Sequence, residues 1–473
     1  MLFPSFAFLV FLPVVFLLYW YAANWDLRVQ NLFILLASYV FYGWWDARFL
    51  ALLIGSSLVD FFLALAIDRS DPGRRKKTLL VLSLVANLGV LALFKYFNFF
   101  RDSLEILMHG LGMRPDLPTL HLILPIGISF YTFQSLSYTI DVYRGRLKAT
   151  PKPVEFLAFV SLFPQLVAGP IERAVDLLPQ FQKPRRFDRS QATDGLRQML
   201  WGFIKKMVIA DGCGPIVDGI FDSPVDSTPG LTLFFGALFF AFQIYGDFSG
   251  YSDIAIGCAR LFGFQLSRNF AYPYFSRDIP EFWRRWHISL SSWFRDNVYM
   301  PLGGWRNKMG RFRNIMITFA VSGLWHGANW TFVSWGVLHG AYYLPTIIRD
   351  GRARRDDPGI RDLPAIVTTF LLVVVTWVFF RAPGVAQALA YLKYMLLHAA
   401  LHPGIVLYWL KQHVTWLIAA MLLLEWKARH RQHALASLPR SIVLRWGIYT
   451  FITLLIILYM DVQTTHEFIY FQF

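Results

Sequence analysis

Residues 283–290 read Trp-Arg-Arg-Trp-His-Ile-Ser-Leu, and residues 323–330 read Gly-Leu-Trp-His-Gly-Ala-Asn-Trp. Each stretch places one histidine among tryptophans. The second stretch lies within an apolar run, where an ionisable side chain is costly and marks a candidate functional site. His287 and His326 are therefore the first candidates for chemistry, and the surrounding segments are interpreted as the scaffold that holds them.

The composition of the 473-residue chain excludes an ordinary soluble protein. Apolar residues make up 56% of it and charged residues 16%, whereas about a quarter of the residues in soluble domains are charged. The aromatic share of 18% is typical of a protein with extensive lipid-facing and interfacial surface. We therefore predict an all-α, polytopic integral membrane protein whose single domain covers residues 1–473.

Apolar runs of membrane-spanning length recur along the whole chain. A helix needs about 20 mostly apolar residues to cross the hydrocarbon layer, and the runs predict about ten to twelve crossings. The range arises because two of the later runs are each either a hairpin or one broken helix. The candidate runs are residues 6–22, 32–45, 49–67, 79–94, 121–140, 199–220, 231–264, 315–343, 364–380, 406–424 and 442–459.

Basic residues concentrate in short loops between the apolar runs. The loops at residues 69–77 and 144–152 are both predicted to be cytoplasmic, which places the N-terminus outside. The later basic loops, 349–361 and 427–440, are expected on the cytoplasmic side as well. This distribution accounts for the net charge of +15 and favours contact with membrane lipid, with no nucleic-acid partner.

One apolar stretch, residues 154–171, departs from the pattern of a spanning helix. It contains Pro164, Gly169 and Pro170, so a straight helix would lose backbone hydrogen bonds, and we predict a re-entrant or broken segment. Within the single domain we distinguish three parts: N-terminal helices (1–143), a core with both histidine motifs (144–348) and C-terminal helices (349–473).

Two carboxylates and several hydroxyl groups follow an apolar run at residues 243–253. Asp247, Ser249 and Asp253 form a possible supporting polar cluster. Two interpretations remain open, because polar groups inside membranes serve either as structural links between helices or as parts of a site. Cys213 and Cys258 belong to no Cys/His ligand pattern, and no metal site is predicted.

Read as one helix, the first histidine stretch is amphipathic. Trp283, Trp286 and Trp293 share an aromatic face with His287 beside them, and Arg284 lies on the opposite face. The pattern predicts a helix near the membrane interface with its aromatic face turned inward. The alternative is a basic membrane-surface helix in which the histidine has no function.

His326 is flanked by Gly323 and Gly327, which let the backbone approach another helix or a ligand closely. A neutral imidazole is the usual general base for an alcohol that attacks an acyl group. A second histidine could donate a hydrogen bond to the developing oxyanion or steer the acceptor. The alternatives are a buried histidine satisfied by a carbonyl group and, for His339, a packing role.

Together the two histidine motifs resemble those of the membrane-bound O-acyltransferases. The likeness extends nearly from end to end and is strongest to the bacterial branch that includes the alginate O-acetyltransferase membrane subunit and the D-alanyl transferases of teichoic acids. The matching stretches are residues 283–290, 293–296 and 323–327, with support from 163–170, 247–253 and 468–473.

The resemblance implies a tunnel through the helical membrane domain. His326 matches the catalytic histidine of the family, and His287 matches a histidine that lines the same tunnel from the cytoplasmic side. The neighbouring residues that are expected to shape the passage are Trp283, Trp286, Trp325, Gly327 and Asn329.

The resemblance also implies an activity and its setting. The expected enzyme is an O-acetyltransferase of the bacterial inner membrane that takes an acetyl group from a cytoplasmic donor, acetyl-coenzyme A, and binds no cofactor. The expected product is an O-acetylated exopolysaccharide resembling alginate. A periplasmic or membrane-anchored acetyltransferase is the expected partner that modifies the polysaccharide.

Two other functions are compatible with the sequence. The first is D-alanyl transfer to teichoic acid, which would require an acyl-carrier protein as donor. The second is a proton-coupled transporter or flippase, since broken helices and intramembrane polar groups occur in transporters too. A transporter is less favoured because internal repeats are typical of that class, and none is visible along this chain.

Overall fold

Helices dominate the protein in the computed structural model, and no strand occurs among the residues it describes. The all-α prediction is therefore confirmed. Residues 350–356 of the predicted basic loop and residues 470–473 of the closing motif lie outside the described part. The described residues are 1–22, 26–167, 169–305, 308–349, 357–398, 402–460 and 468–469.

The chain forms two compact units. The first comprises residues 1–195 and 258–267, and the second comprises residues 196–257 and 268–473. Both histidine motifs belong to the second unit.

The first unit is centred on α6, which is buried over residues 128–142. A short π-helical segment joins α4 to α5. The helices that lie in this unit or begin in it are α1 (Phe6–Ala22), α2 (Leu27–Gly43), α3 (Arg48–Asp68), α4 (Arg74–Leu91), α5 (Phe97–Gly110), α6 (Ile128–Tyr143), α7 (Pro153–Ser161), α8 (Phe163–Leu166), α9 (Ala174–Leu177) and α10 (Arg189–Phe203).

A buried carboxylate links three helices of the first unit. Asp60 on α3 accepts hydrogen bonds from Ser83 Oγ at 2.6 Å and Asn87 Nδ2 at 2.9 Å, both on α4. It also accepts one from Ser135 Oγ on α6. Such groups join membrane helices where little water is available to satisfy them, so Asp60 has a structural role within the apolar run 49–67.

The predicted break in residues 154–171 is confirmed. α7 ends at Ser161, and after Leu162 only the short helix α8 follows. The helix predicted over 121–140 is wrong at its start, because α6 begins at Ile128. Gly127 has a left-handed backbone (φ 75°), and a Cβ atom there would lie 2.8 Å from the carbonyl oxygen of Leu166.

The second unit contains the long helix α12 and a series of shorter helices. A π-helical segment (Ile204–Ala210) joins α10 to α11. The helices are α11 (Asp211–Phe221), α12 (Gly230–Leu261), α13 (Ile279–Arg285), α14 (Ile288–Phe294), α15 (Lys308–His326), α16 (Trp330–Tyr342), α17 (Leu344–Ile348), α18 (Leu363–Arg381), α19 (Val385–Leu397), α20 (Pro403–Lys411), α21 (His413–Lys427) and α22 (Ile442–Tyr459).

The described residues contain five helices that are long and apolar enough to cross a membrane. A sixth span is possible if α20 and α21, which meet at a bend of 71°, cross together. The run 231–264 forms one helix, α12, whereas the run 315–343 is broken between α15 and α16. The prediction of several membrane-spanning helices is confirmed, and the count of about ten to twelve stays a prediction.

α15 and α16 form a close antiparallel hairpin that depends on two glycines. A Cβ atom at Gly323 would lie 2.1 Å from the carbonyl oxygen of Phe332. One at Gly336 would lie 2.1 Å from the carbonyl oxygen of Phe319. Because glycine has no Cβ atom, the two helices can pack closely at these positions. This close packing fixes the position of the C-terminal end of α15, where His326 lies.

Gly323→Ala is therefore expected to destabilise the second unit. The added methyl group must displace a backbone carbonyl, and overpacking of this kind costs about 1–3 kcal/mol. Gly219→Ala on α11 is the matched control, because a Cβ atom there meets nothing within 4 Å. Thermal unfolding of the purified proteins in detergent should show a lower midpoint for Gly323→Ala alone; equal midpoints would contradict the role of the glycine.

Candidate active site

The polypeptide changes direction at His287. α13 ends at Arg285, Trp286 is extended (φ −103°, ψ 128°), and His287 has a left-handed backbone (φ 43°, ψ 55°) before α14 begins. The prediction of one amphipathic helix through this stretch is therefore wrong. A non-glycine residue in this conformation costs about 1–3 kcal/mol and persists only where surrounding contacts enforce it.

Asn269 supplies those contacts. Its backbone oxygen accepts a hydrogen bond from the Ile288 N–H at 2.9 Å, and its side-chain Oδ1 lies 3.1 Å from His287 Nδ1. The same Oδ1 accepts hydrogen bonds from the N–H and Oγ of Ser289 at 3.3 and 3.0 Å. Since an amide oxygen only accepts, the network assigns the proton of neutral His287 to Nδ1 and the lone pair to Nε2.

His326 ends α15 and lies in an aromatic pocket. Its ring centroid is 5.1 Å from that of Trp325, 5.0 Å from that of Trp335 and 5.4 Å from that of Phe380. The centroid of His287 is 6.4 Å away. His326 and His287 are 2% and 0% exposed, so the two predicted histidines meet in one buried site.

The separation of the two imidazole rings suits a reacting hydroxyl group. At this separation one bound substrate can place a hydroxyl group against His326 and a second O–H or N–H group against His287. His287 lies outside the helices that qualify as membrane spans, and burial lowers its pKa to about 3. This imidazole is therefore neutral at physiological pH and offers a lone pair in an apolar surrounding.

His339 has a structural role. Its Nδ1 accepts a hydrogen bond from Trp283 Nε1 at 3.2 Å, and its Nε2 lies 2.9 Å from Thr376 Oγ1. Thr376 Oγ1 donates in turn to the Val373 carbonyl oxygen, so the Nε2 of His339 is the donor in their contact. Both ring nitrogens are thus engaged, in agreement with the packing role predicted for this histidine.

The tryptophans of the two motifs occupy different surroundings. Trp325 lies near both histidines, with centroid distances of 5.1 Å to His326 and 6.0 Å to His287. The ring centroids of Trp286 and Trp377 are 5.0 Å apart, and Trp283 donates a hydrogen bond to His339. Trp325 is therefore the tryptophan placed to contact a substrate at the histidine pair, and the tunnel itself stays a prediction.

Gly327 and Asn329 shape the turn that follows His326. A Cβ atom at Gly327 would lie 2.1 Å from the Phe332 ring. Asn329 caps α16, because its Oδ1 accepts a hydrogen bond from the Thr331 N–H at 3.0 Å, and its Nδ2 donates to the Pro383 carbonyl oxygen at 3.0 Å. Both residues therefore hold the turn, whereas a direct contact with substrate stays a prediction.

The predicted polar cluster on α12 is engaged in buried ion pairs. Asp247 lies 2.7 Å from Lys206 Nζ, and its other oxygen accepts a hydrogen bond from the Ile469 N–H at 2.6 Å. Asp253 pairs with Lys205, and Ser249 Oγ donates to the backbone at 2.6 Å. These contacts favour the structural interpretation of the cluster.

Sequence reasoning missed several residues of this region. Lys205 and Lys206 lie in the π-helical segment between α10 and α11, and the charges within the apolar run 199–220 were a signal that could have identified them. Asn269 carried no such signal, because it stands in a polar loop 18 positions before His287. Trp335 and Phe380 belong to apolar runs whose packing no sequence pattern specifies.

Comparison with known proteins places the chain in a family. The model of the membrane-bound O-acyltransferase family matches residues 78–351, which include both histidines. The chain is 44% identical to the probable alginate O-acetylase AlgI of Pseudomonas aeruginosa, covering 82% of this chain and 73% of that protein.

The names of two further relatives specify a different acceptor or a different acyl group. The peptidoglycan O-acetyltransferase of Helicobacter pylori is 37% identical over 83% of this chain and 79% of its own length. The teichoic acid D-alanyltransferase of Streptococcus thermophilus is 32% identical over 54% of this chain and 68% of its own length. The resemblance found in the two histidine motifs is confirmed, and the chain belongs to the membrane-bound O-acyltransferase family of enzymes.

Proposed function

We propose that this O-acyltransferase moves an acetyl group from a cytoplasmic donor to hydroxyl groups of an exported, alginate-like polysaccharide. The observation that carries the proposal is the buried pair of His287 and His326, whose ring centroids are 6.4 Å apart. An imidazole in such a site is suited to take the proton of an attacking alcohol. Within the O-acyltransferase activity of the family, the proposal specifies acetyl as the acyl group and the hydroxyl groups of a polysaccharide as the acceptor.

The pattern of similarity supports acetyl transfer over D-alanyl transfer. A relative named as an alginate O-acetylase is 44% identical over 82% of the chain. The relative named as a D-alanyltransferase is 32% identical over 54% of it. Acetyl-coenzyme A is the donor that we expect, since it is a cytoplasmic acetyl thioester.

In the proposed step His326 is the general base. It accepts the proton of the acceptor hydroxyl while the hydroxyl oxygen forms a bond to the acetyl carbonyl carbon and the carbon–sulfur bond of the donor breaks. The proton then passes to the leaving thiolate, so an ester and a free thiol are the products. His287 is the partner that lines the same site, and no metal ion is part of this step.

The proposed setting is the bacterial inner membrane with the N-terminus in the periplasm. The basic loops at residues 69–77 and 144–152 support this orientation through the excess of Lys and Arg on the cytoplasmic side of membranes. We further propose that a periplasmic or membrane-anchored acetyltransferase receives the acetyl group and places it on the polysaccharide.

The test is the O-acetyl content of the exported polysaccharide in cells that lack the gene. We expect O-acetyl groups to disappear and to return when the gene is restored, without a change in the amount of polymer. Unchanged acetylation in the deletion strain would overturn the proposal.

Two further measurements distinguish the other candidate functions, one in the same cells and one with purified protein. Loss of D-alanyl esters with acetylation intact would favour D-alanyl transfer. For the transporter, the purified protein in proteoliposomes is supplied with radiolabelled acetyl-coenzyme A. Transport of the label without formation of an ester would identify a transporter, whereas an acetyl ester supports the enzyme.

A further inference from the structure

We infer that Asn269 is a positioning residue for acyl transfer, because it fixes His287 in the tautomer whose Nε2 accepts a hydrogen bond. The inference rests on the proposed function, in which His287 works beside His326. Asn269 itself is 0% exposed and acts through the histidine.

The orientation of the Asn269 amide follows from its partners. The backbone N–H of Ser289 points at Oδ1 from 3.3 Å, and a backbone N–H cannot accept, so an NH₂ group in that position would face another donor. The opposite end of the amide, Nδ2, donates to Ser252 Oγ at 3.2 Å. Both contacts hold Oδ1 beside His287 Nδ1, which must then be the protonated nitrogen.

This tautomer decides what His287 offers to a substrate. With the proton on Nδ1, Nε2 carries the lone pair and accepts a hydrogen bond from an O–H or N–H group in the site. The expectation that the second histidine donates a hydrogen bond to the oxyanion is therefore not favoured. The role that remains is to orient the substrate group next to His326, which agrees with the predicted steering role.

The surroundings of His287 keep it neutral. The ring centroid of Phe248, on α12, lies 4.6 Å from that of His287. The ring centroid of Phe270, in the loop before α13, lies 6.5 Å from it. Trp325 and His326 face it from α15, and His326 is the titratable group among these neighbours. Burial lowers the pKa of His287 to about 3, so the ring stays neutral throughout the physiological range.

A nitrogen-15 NMR spectrum of the histidine-labelled protein in lipid tests the tautomer without any assay of activity. The His287 signal, identified by its absence in His287→Gln, should be that of an Nδ1–H tautomer, and this preference should be lost in Asn269→Leu. An Nε2–H tautomer in the unaltered protein would overturn the inference.

Kinetics of acetyl transfer in proteoliposomes then test the positioning role. Asn269→Ala should lower kcat by about 10²-fold. Asn269→Asp keeps an acceptor at Nδ1 and should restore most of that loss near neutral pH. A merely structural role predicts equal losses in both variants at every pH.

The aspartate variant should also change the pH profile. Its carboxylate favours imidazolium, which raises the pKa of His287, and activity that needs the neutral ring is lost as pH falls through that pKa. Asn269→Asp is therefore expected to lose activity as the pH falls from about 8 to about 5. In the unaltered protein, His287 should cause no such loss over this range. An unshifted profile would contradict the inference.

The two proposals fail in different ways. If the unaltered protein forms no acetyl ester, the proposed function is wrong, while the NMR result still decides the tautomer. If the unaltered protein is active and the Asn269 variants show neither the kcat loss nor the pH shift, only the inference is wrong.

Discussion

Replacing His326 by alanine is expected to abolish detectable O-acetylation of the exported polysaccharide at an unchanged level of the protein. A general base contributes about 10²–10⁴-fold to the rate of such reactions. His326→Gln preserves more of the packing against Trp325 and Trp335 but cannot take up a proton, so it should be as inactive as His326→Ala. The measurement is the O-acetyl content of polysaccharide from cells that carry each variant.

His121→Ala provides the control for that experiment. His121 is exposed and lies in the first unit, so its removal should leave acetylation unchanged. Normal acetylation by His326→Gln would contradict the assignment of His326 as the base, because a glutamine side chain supplies hydrogen bonds but no basic nitrogen.

Replacing Lys206 by methionine is expected to destabilise the protein strongly. Lys206 is 1% exposed and pairs with Asp247 at 2.7 Å and with Asp211 at 2.9 Å. Removing one partner of a buried ion pair leaves an uncompensated charge and costs about 3–5 kcal/mol. The midpoint of thermal unfolding in detergent and the amount of protein in the membrane should both fall.

A second substitution separates the charge effect from lost packing. Asp247→Asn in the Lys206→Met background removes the unpaired charge, and its amide oxygen can still accept the hydrogen bond from the Ile469 N–H. The double variant should recover part of the lost stability. The exposed residue Lys393 is the matched control, and Lys393→Met should change little. If Lys206→Met unfolds at the same temperature as Lys393→Met, the ion pair does not stabilise the protein.

Hydrophobic length was the most reliable guide to the fold. The run 442–459 coincides with α22, and the run 364–380 lies within one residue of α18 at each end. Apolar residues must fill the hydrocarbon layer, and in lipid a helix satisfies its own backbone groups. For such segments composition alone predicts the element and nearly its bounds.

Local periodicity was a poor guide where contacts distant in sequence determine the backbone. The aromatic spacing of Trp283, Trp286 and Trp293 indicated one helix, yet the chain turns at His287 because Asn269 binds the backbone and the ring there. Two short helices on either side of a turn can carry the same spacing as one long helix. The pattern cannot distinguish them without knowledge of the loop that contains Asn269.

The sequence predicted the two histidines of the candidate site, but not the residues that surround and position them. His287 and His326 were identified because each stands among tryptophans and one lies in an apolar run. Their partners are set by the tertiary fold, which brings Asn269 from a loop and Trp335 from α16 to the two rings. The distance of 39 positions between the histidines was compatible with a shared site without requiring one.

We propose that His287 and His326 act together in one acyl-transfer site. The rate of acetyl transfer from acetyl-coenzyme A by purified protein in proteoliposomes, measured for His287→Ala, for His326→Ala and for the double variant, tests this proposal. Residues that act as a unit show strongly non-additive losses, so the double variant should be about as slow as the slower single variant. Losses that multiply in the double variant would contradict a single site.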